Sequence, residues 1–364
     1  MTSDIESLDT PLPYLTADLP GIGGELKQEP GDFEVEEIPA YVPVGAGEHL
    51  YLWIEKTGIT TEQLTRQIVQ TLRVASRDIG VAALKDRHAV ARQFVSIPAK
   101  FADKVELLES PQVRVLSAAL HGNKLRTGHL KGNRFSILLR NVGPQALELA
   151  QPIVARLQQL GVPNYFGDQR FGIDGETAQL GFDLLKGEQT PDDIHPARRR
   201  FLLKLALSSA QSVLFNQALA ARLLAGQLHQ VLLGDVLQVA ASGGVFVCED
   251  VAADQPRFDS REVLPTGPMF GPKMKLAMGT VGEQEAQILP NAGLTMEQFS
   301  LYKELTSGTR RPYLILPTEL DVQQEPDGLR FRFSLPSGSY ATILLREFQK
   351  GLTIAEPQLG ERPA

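Results

Sequence analysis

Apolar and polar positions alternate in the first part of the chain. Phe33-Glu34-Val35-Glu36-Glu37-Ile38 sets apolar residues against acidic ones with a period of two, and His49 to Lys56 (HLYLWIEK) does the same. Both segments are therefore predicted to be half-buried strands. The period then becomes helical: Leu64, Ile68 and Leu72 share one face over 61–73, behind Thr60 and Gln63 in a capping-box pattern. Further strands are predicted at Val113–Ser117 and Phe135–Arg140. A helix is predicted over 145–160, ending at Gly161-Val162-Pro163.

Beyond that point the texture changes. Residues 161–175 (GVPNYFGDQRFGIDG) are rich in glycine and aromatics. A long helix is predicted over 196–224, with Leu202, Leu205, Leu214, Phe215, Leu219 and Leu223 forming a broad apolar face. From Gly243 to Asn291 glycine and proline are frequent and periodicity is weak, which predicts a loop-rich stretch, and a helix follows over 295–305. Strand alternation returns at Leu320–Gln323 and Leu329–Leu335, before a helix over 339–350. Strand-rich ends around a helical middle predict an α+β protein in which a discontinuous domain, 1–160 with 315–364, carries an inserted one, 161–314.

Composition removes several classes. The 364 residues, 43% hydrophobic and 22% charged, are ordinary for a globular protein of two or three domains. Cys248 is the only cysteine, so no intrachain disulfide and no cysteine-rich zinc site can form. The first residues, MTSDIESLDTPLPYL, lack the basic and apolar regions of a secretory leader, and no apolar run is long enough for a membrane span. A soluble, unprocessed, cytoplasmic protein is expected, with no obligate protein partner evident. Motifs for phosphate-binding loops, dinucleotide binding, zinc proteolysis and hydrolase nucleophile elbows are absent, and the six histidines lack ligand spacing. No metal and no cofactor are expected.

The net charge of −7 argues mildly against nucleic acid, but its distribution is uneven. Between Glu109 and Glu148 there is no acidic residue, while Arg114, Lys124, Arg126, Lys131, Arg134 and Arg140 supply positive charge beside His121 and His129. A second cluster holds His195, Arg198, Arg199, Arg200 and Lys204, and a third Lys303, Arg310 and Arg311. Charge runs are usually solvated faces, yet three clusters interleaved with glycine, histidine and aromatics fit RNA contacts.

The segment Leu84-Lys85-Asp86-Arg87-His88-Ala89 wedges one carboxylate among three potential cations, each of which favours the charged form of Asp86. By itself this pattern also describes a solvated loop. Its flanks, an apolar run from Ile79 and the strand-like Phe94–Pro98, place it on a connection between core strands, where catalytic side chains are commonly found. Four other segments are equally odd for scaffolding: EPGDFEVEE at 29–37, LKGNRF at 130–135, NYFGDQRFG at 164–172 and LPSGSYATILLREF at 335–348. Each joins backbone-shaping glycine or proline to an aromatic and a polar group. Read singly, Phe33, Phe135 and Tyr340 fit a core better than a base-stacking platform, and Asn133 fits a turn.

In this order and at these separations, the five segments resemble the TruD family of tRNA pseudouridine synthases, from about Gly23 to Lys350. The resemblance implies a pseudouridine-synthase-like core, with a mainly antiparallel mixed sheet flanked by helices, and an inserted α/β TRUD domain. It implies isomerisation of uridine 13 in tRNA, with Asp86 as the nucleophile, and with Phe33, Asn133 and Tyr340 contacting the target nucleotide. Lys27 matches a basic residue that the family carries near the aspartate, and Phe135 the aromatic that stands where other pseudouridine synthases use tyrosine. The family more typically has phenylalanine at Tyr340; tyrosine keeps the ring face and adds a hydroxyl that needs a partner. Two other readings stay open at this point: a non-catalytic RNA-binding protein, and a carboxylate-dependent glycosidase, for which Glu48 and Asp78 are the nearest second acids.

Overall fold

The computed structural model describes residues 11–350. Along the chain run β1 (Gly23–Glu25), β2 (Phe33–Pro39), β3 (His49–Thr57), α1 (Thr61–Leu72), β4 (Gly80–Val81), β5 (Val90–Pro98), β6 (Val113–His121), β7 (Leu130–Val142) and α2 (Ala146–Leu160). There follow β8 (Val162–Pro163), α3 (Glu176–Lys186), α4 (Arg199–Leu224), β9 (Val236–Val239), β10 (Val245–Val247), α5 (Val251–Asp259), β11 (Val263–Met269), α6 (Gly279–Asn291), α7 (Met296–Ser300), β12 (Thr309–Pro312) and β13 (Leu314–Ile315). The last elements among the described residues are β14 (Thr318–Glu325), β15 (Gly328–Pro336) and α8 (Ala341–Gln349).

These elements fall into two compact units. One takes in Asp18–Gln159, Leu316–Ala341 and the described residues from Leu345 on; the other takes in Leu160–Ile315, Thr342–Leu344 and the described residues up to Ala17.

The first unit is built on a nine-stranded sheet ordered β14-β15-β7-β2-β5-β3-β6, with β1 added to β7 and β4 to β5. The pairing of β2 with β5 is parallel and the others are antiparallel. One face of β3 carries Leu50, Leu52 and Ile54 into a core shared with Leu64, Ile68 and Leu72 of α1. That helix starts at the expected capping box, with Gln63 N–H donating to Thr60 Oγ1 at 3.1 Å and Thr60 N–H to Gln63 Oε1 at 2.8 Å.

Register decides which residues meet. Across β2 and β7, Val35 faces Phe135 and Glu37 faces Asn133; across β7 and β15, Phe135 faces Phe333 and Asn133 faces Leu335. Directly opposed residues share a sheet face, so one face presents Phe135 and Phe333 and then, one step along, Asn133 and Glu37. Gly132 allows the strands this approach: a Cβ there would lie 2.2 Å from the Leu335 carbonyl oxygen.

In the second unit α3 packs along α4 around Phe182, Leu185, Ala206, Ala210 and Leu214. A four-stranded sheet, β10-β9-β11-β12, and the short β13-β8 pair complete it. The stretch expected to be loop-rich is ordered here as β10, α5, β11 and α6. Its strands and helices are short, and prolines stand inside them at Pro256, Pro265, Pro268 and Pro290, which hides their periodicity. The helix expected over 295–305 stops at Ser300, and the chain closes in turns in which Thr306 Oγ1 donates to the carbonyls of Phe299 and Tyr302. No helix among the described residues is long and apolar enough to cross a membrane.

Candidate active site

Asp86 lies on the loop that joins β4 to β5, with its side chain 49% exposed. Two lysines from elsewhere in the fold, Lys27 and Lys56, take hold of that loop, and a third, Lys85, belongs to it. Lys27, just after β1, is an exception in the backbone: its φ of 59° is left-handed, a conformation that a side chain disfavours. From there its ammonium reaches Asp86 Oδ2 at 3.1 Å and lies 4.5 Å from the centre of the Phe33 ring. Phe33 meets Phe135 edge-on at 6.1 Å, and Phe135 lies 5.3 Å from Phe333.

Lys56, at the end of β3, is fully buried and grips backbone. Its Nζ donates at 2.6 Å to the carbonyl of Asp86 and at 2.6 Å to that of Ile59. Burial pushes this amine down to about 8; the Asp86 carboxylate opposes that shift and the Lys85 charge adds to it.

Lys85 turns inward rather than toward the carboxylate beside it in sequence. Its Nζ donates to Asn133 Oδ1 at 2.7 Å and lies 3.2 Å from Glu37 Oε1, and both members of this ion pair are buried. Burial lowers the Lys85 amine and raises the Glu37 carboxyl, and the attraction between them works against both shifts. Glu37 also accepts a bond from the Phe94 N–H at 3.0 Å. The expectation that Lys85, Arg87 and His88 surround Asp86 is thus corrected as to contact, although the Lys85 charge still attracts the Asp86 carboxylate. Arg87 Nε donates to the Gly58 carbonyl at 3.3 Å and His88 is exposed, so the cation paired with Asp86 is Lys27.

Of the residues named from sequence, Lys27, Phe33, Asp86 and Phe135 are linked by these contacts, and Asn133 is bonded instead to Lys85, the chain neighbour of Asp86. Tyr340 is half-buried at the start of α8. Lys56 and Glu37 were not named. Both stand at the end of an alternating strand on its apolar parity, Leu50-Leu52-Ile54-Lys56 and Phe33-Val35-Glu37, and a charge in that position is the sign by which they could have been found.

The basic clusters fare unequally. Arg114, Arg134 and Arg140 are paired with Glu55, Glu36 and Asp32, the first two at exposed positions, and Arg126 and Lys131 are exposed as well. Arg198, Arg200 and Lys204 are exposed around the start of α4. In the third cluster Arg310 is buried against Glu285, with contacts of 2.7 and 2.6 Å, and Arg311 donates to Asn164.

The family description tRNA pseudouridine synthase D (TruD) matches residues 10–191 and 190–348 of this sequence. The chain belongs to that family. Among its relatives, the tRNA pseudouridine synthase D of Anaeromyxobacter dehalogenans is 45% identical over 344 residues, covering 94% of this chain and 97% of the relative. That of Thermus thermophilus is 45% identical over 339 residues, covering 93% and 92%. A crystal structure from Methanosarcina mazei, of a protein described as a tRNA pseudouridine synthase D (TruD), superposes with a TM-score of 0.75 at 26% identity and covers 96% of this chain and 98% of its own. The mainly antiparallel mixed sheet with flanking helices is accordingly the fold of this family.

Proposed function

We propose that this protein converts uridine to pseudouridine in tRNA, at uridine 13, without a cofactor and with Asp86 as the nucleophile. The observation that carries the reading is the loop that presents Asp86: an exposed carboxylate whose backbone carbonyl is gripped by a buried lysine and whose oxygen is paired to a second. A reacting group held in this way meets its target with little freedom left to lose.

The reaction breaks the bond between uracil N1 and ribose C1′ and forms one between C1′ and C5; the C5 proton leaves and N1 gains one. Nothing is oxidised or reduced, so no redox partner is called for. The carboxylate of Asp86 captures C1′ or removes a neighbouring proton, while the detached uracil turns in place. Phe33, Phe135 and Tyr340 would wall the base and Asn133 would bond its edge, with Lys27 keeping the carboxylate oriented. The target has to leave its stack, at a cost of a few kcal/mol that stacking and phosphate contacts offset. Arg126, Lys131, Arg198, Arg200 and Lys204 are among the exposed cations suited to those phosphate contacts. We read 1–160 with 315–364 as the catalytic core, 161–314 as the inserted TRUD domain, and the cytoplasm as its site of action.

The test is mapping of pseudouridine in tRNA incubated with the purified protein and with Asp86→Asn. Modification at uridine 13 by the wild type and none by the variant is expected. A variant acting at near wild-type rate would remove Asp86 from the chemistry, and modification elsewhere would remove the assignment of position.

A further inference from the structure

Asn133 is held from one side only. An ammonium has three donors and no acceptor, so the amide atom facing Lys85 Nζ at 2.7 Å must be the oxygen; the reversed amide would set N–H against N–H. The Asn133 NH2 group is thereby turned away from the buried pair, and no acceptor among the described residues takes a hydrogen bond from it. The pair that imposes this orientation is itself anchored. The Lys85 N–H donates to Thr61 Oγ1 at 2.8 Å, Thr61 donates on to Gln93 Oε1 at 3.0 Å, and Glu37 is tied to the Phe94 N–H at 3.0 Å. Lys85 and Glu37 are 7% and 3% exposed, so solvent cannot replace either partner.

We propose that Lys85 is a positioning residue that fixes Asn133 as a hydrogen-bond donor to the C4 carbonyl of the target uracil, so that the site takes uridine and refuses cytidine. This rests on the reading of Asn133 as a base contact given above. The chemistry of the turn favours a donor at that place. Exchange of N1 for C5 is a half-turn of the free uracil about the axis through N3 and C6, and it also exchanges C2 for C4. Uracil carries a carbonyl at both positions, so one fixed donor holds the base before and after the turn. Cytosine carries an amino group at C4, which would oppose the NH2 of Asn133 with two donors and no acceptor. Were the amide free to flip, its oxygen could accept from that amino group and the distinction would be lost.

Binding of two RNA stem-loops, alike except for uridine or cytidine at the target, decides the matter when measured in an Asp86→Asn background that prevents turnover. The parent is expected to favour uridine about tenfold or more, since a buried donor left facing a donor is worth at least that factor. Lys85→Met brings the ratio toward one, Lys85→Arg preserves it, and Asn133→Asp, which sets an acceptor where the NH2 stood, moves it toward cytidine. A purely structural role for Lys85 would weaken both RNAs alike and leave the ratio unmoved. That result, or a parent without preference, overturns the proposal. If Lys85→Met does not fold, an unchanged ratio in Asn133→Asp overturns it equally. Pseudouridine formation by the wild type is measured alongside: its absence defeats the functional reading, while the binding ratio separately decides the role of Lys85.

Discussion

Replacing Lys56 with methionine should separate the activity of the site from the stability of the sheet. The lysine is fully buried and donates at 2.6 Å to each of two carbonyls, those of Asp86 and Ile59. Methionine keeps an apolar stem of similar length in the core and deletes both donors. Hydrogen bonds from a charged group contribute roughly 1.5–3 kcal/mol each, so about 3–6 kcal/mol is lost. Against this, the buried ammonium disfavours the fold, as its displacement from 10.5 to about 8 shows. Removing it returns roughly 3 kcal/mol, at about 1.4 kcal/mol for each unit of displacement. The net destabilisation is therefore about 2 kcal/mol, within the range that ordinary domains survive. Activity has no such compensation. With its carbonyl released, Asp86 loses the placement that the proposed reaction needs, and a displacement of about 1 Å can lower a rate roughly 100-fold. Single-turnover release of tritium from tRNA labelled at uridine C5, set beside urea unfolding, measures both quantities. A rate within about threefold of wild type, or a loss that only follows the unfolded fraction, would refute the role given to Lys56.

Three further outcomes follow from the same contacts. Lys56 titrates near 8 in the folded chain and near 10.5 when unfolded, so its burden on the fold is complete below pH 8 and is relieved as pH rises from there toward 10.5. The unfolding free energy of the wild type relative to Lys56→Met should rise across that window, and a flat difference in pH-dependent denaturation would count against the burial of a charged amine. At Lys27 the left-handed φ of 59° should make Lys27→Gly more stable than Lys27→Ala by about 1 kcal/mol in thermal unfolding, while both variants lose rate together; equal stabilities would contradict the backbone reading. Arg310→Met strands a buried Glu285 and should lower stability by about 3–5 kcal/mol, yet leave the salt dependence of tRNA binding unchanged; a shallower salt slope would return Arg310 to the RNA surface.

The sheet was legible in the sequence because a period of two is a local property. The alternations at 33–38, 49–56 and 329–335 each became a strand, and the capping box at Thr60 became the start of α1. The second unit was less so, since short elements interrupted by Pro256, Pro265, Pro268 and Pro290 leave too few residues for a period to show. At the candidate site the sequence drew attention to Asp86 but not to the cation that pairs with its carboxylate. Proximity along the chain suggested Lys85, Arg87 and His88, but the cation on Asp86 is Lys27, 59 positions earlier, and it arrives through the addition of β1 to β7. Pairings between distant strands depend on register, and no local pattern records that.

The two buried lysines, however, should not titrate independently. Lys85 lies close enough to Lys56 for its charge to push the Lys56 amine further down, while Glu37 balances Lys85 and Asp86 supports Lys56. Removing the Lys85 charge should therefore move Lys56 upward, toward its ordinary value, because a like charge that opposed protonation has gone. In Lys85→Met the gain in stability with rising pH should begin above the pH 8 at which it begins in the wild type. The comparison is pH-dependent unfolding of wild type, Lys85→Met and the double variant with Lys56→Met, which removes the titration altogether. If the window stays in place, the two ammoniums act separately, and the loop of Asp86 and the amide of Asn133 are held by unconnected devices. If it moves, one charge network holds both the Asp86 loop and the Asn133 amide, and a change at either lysine will be felt at the other.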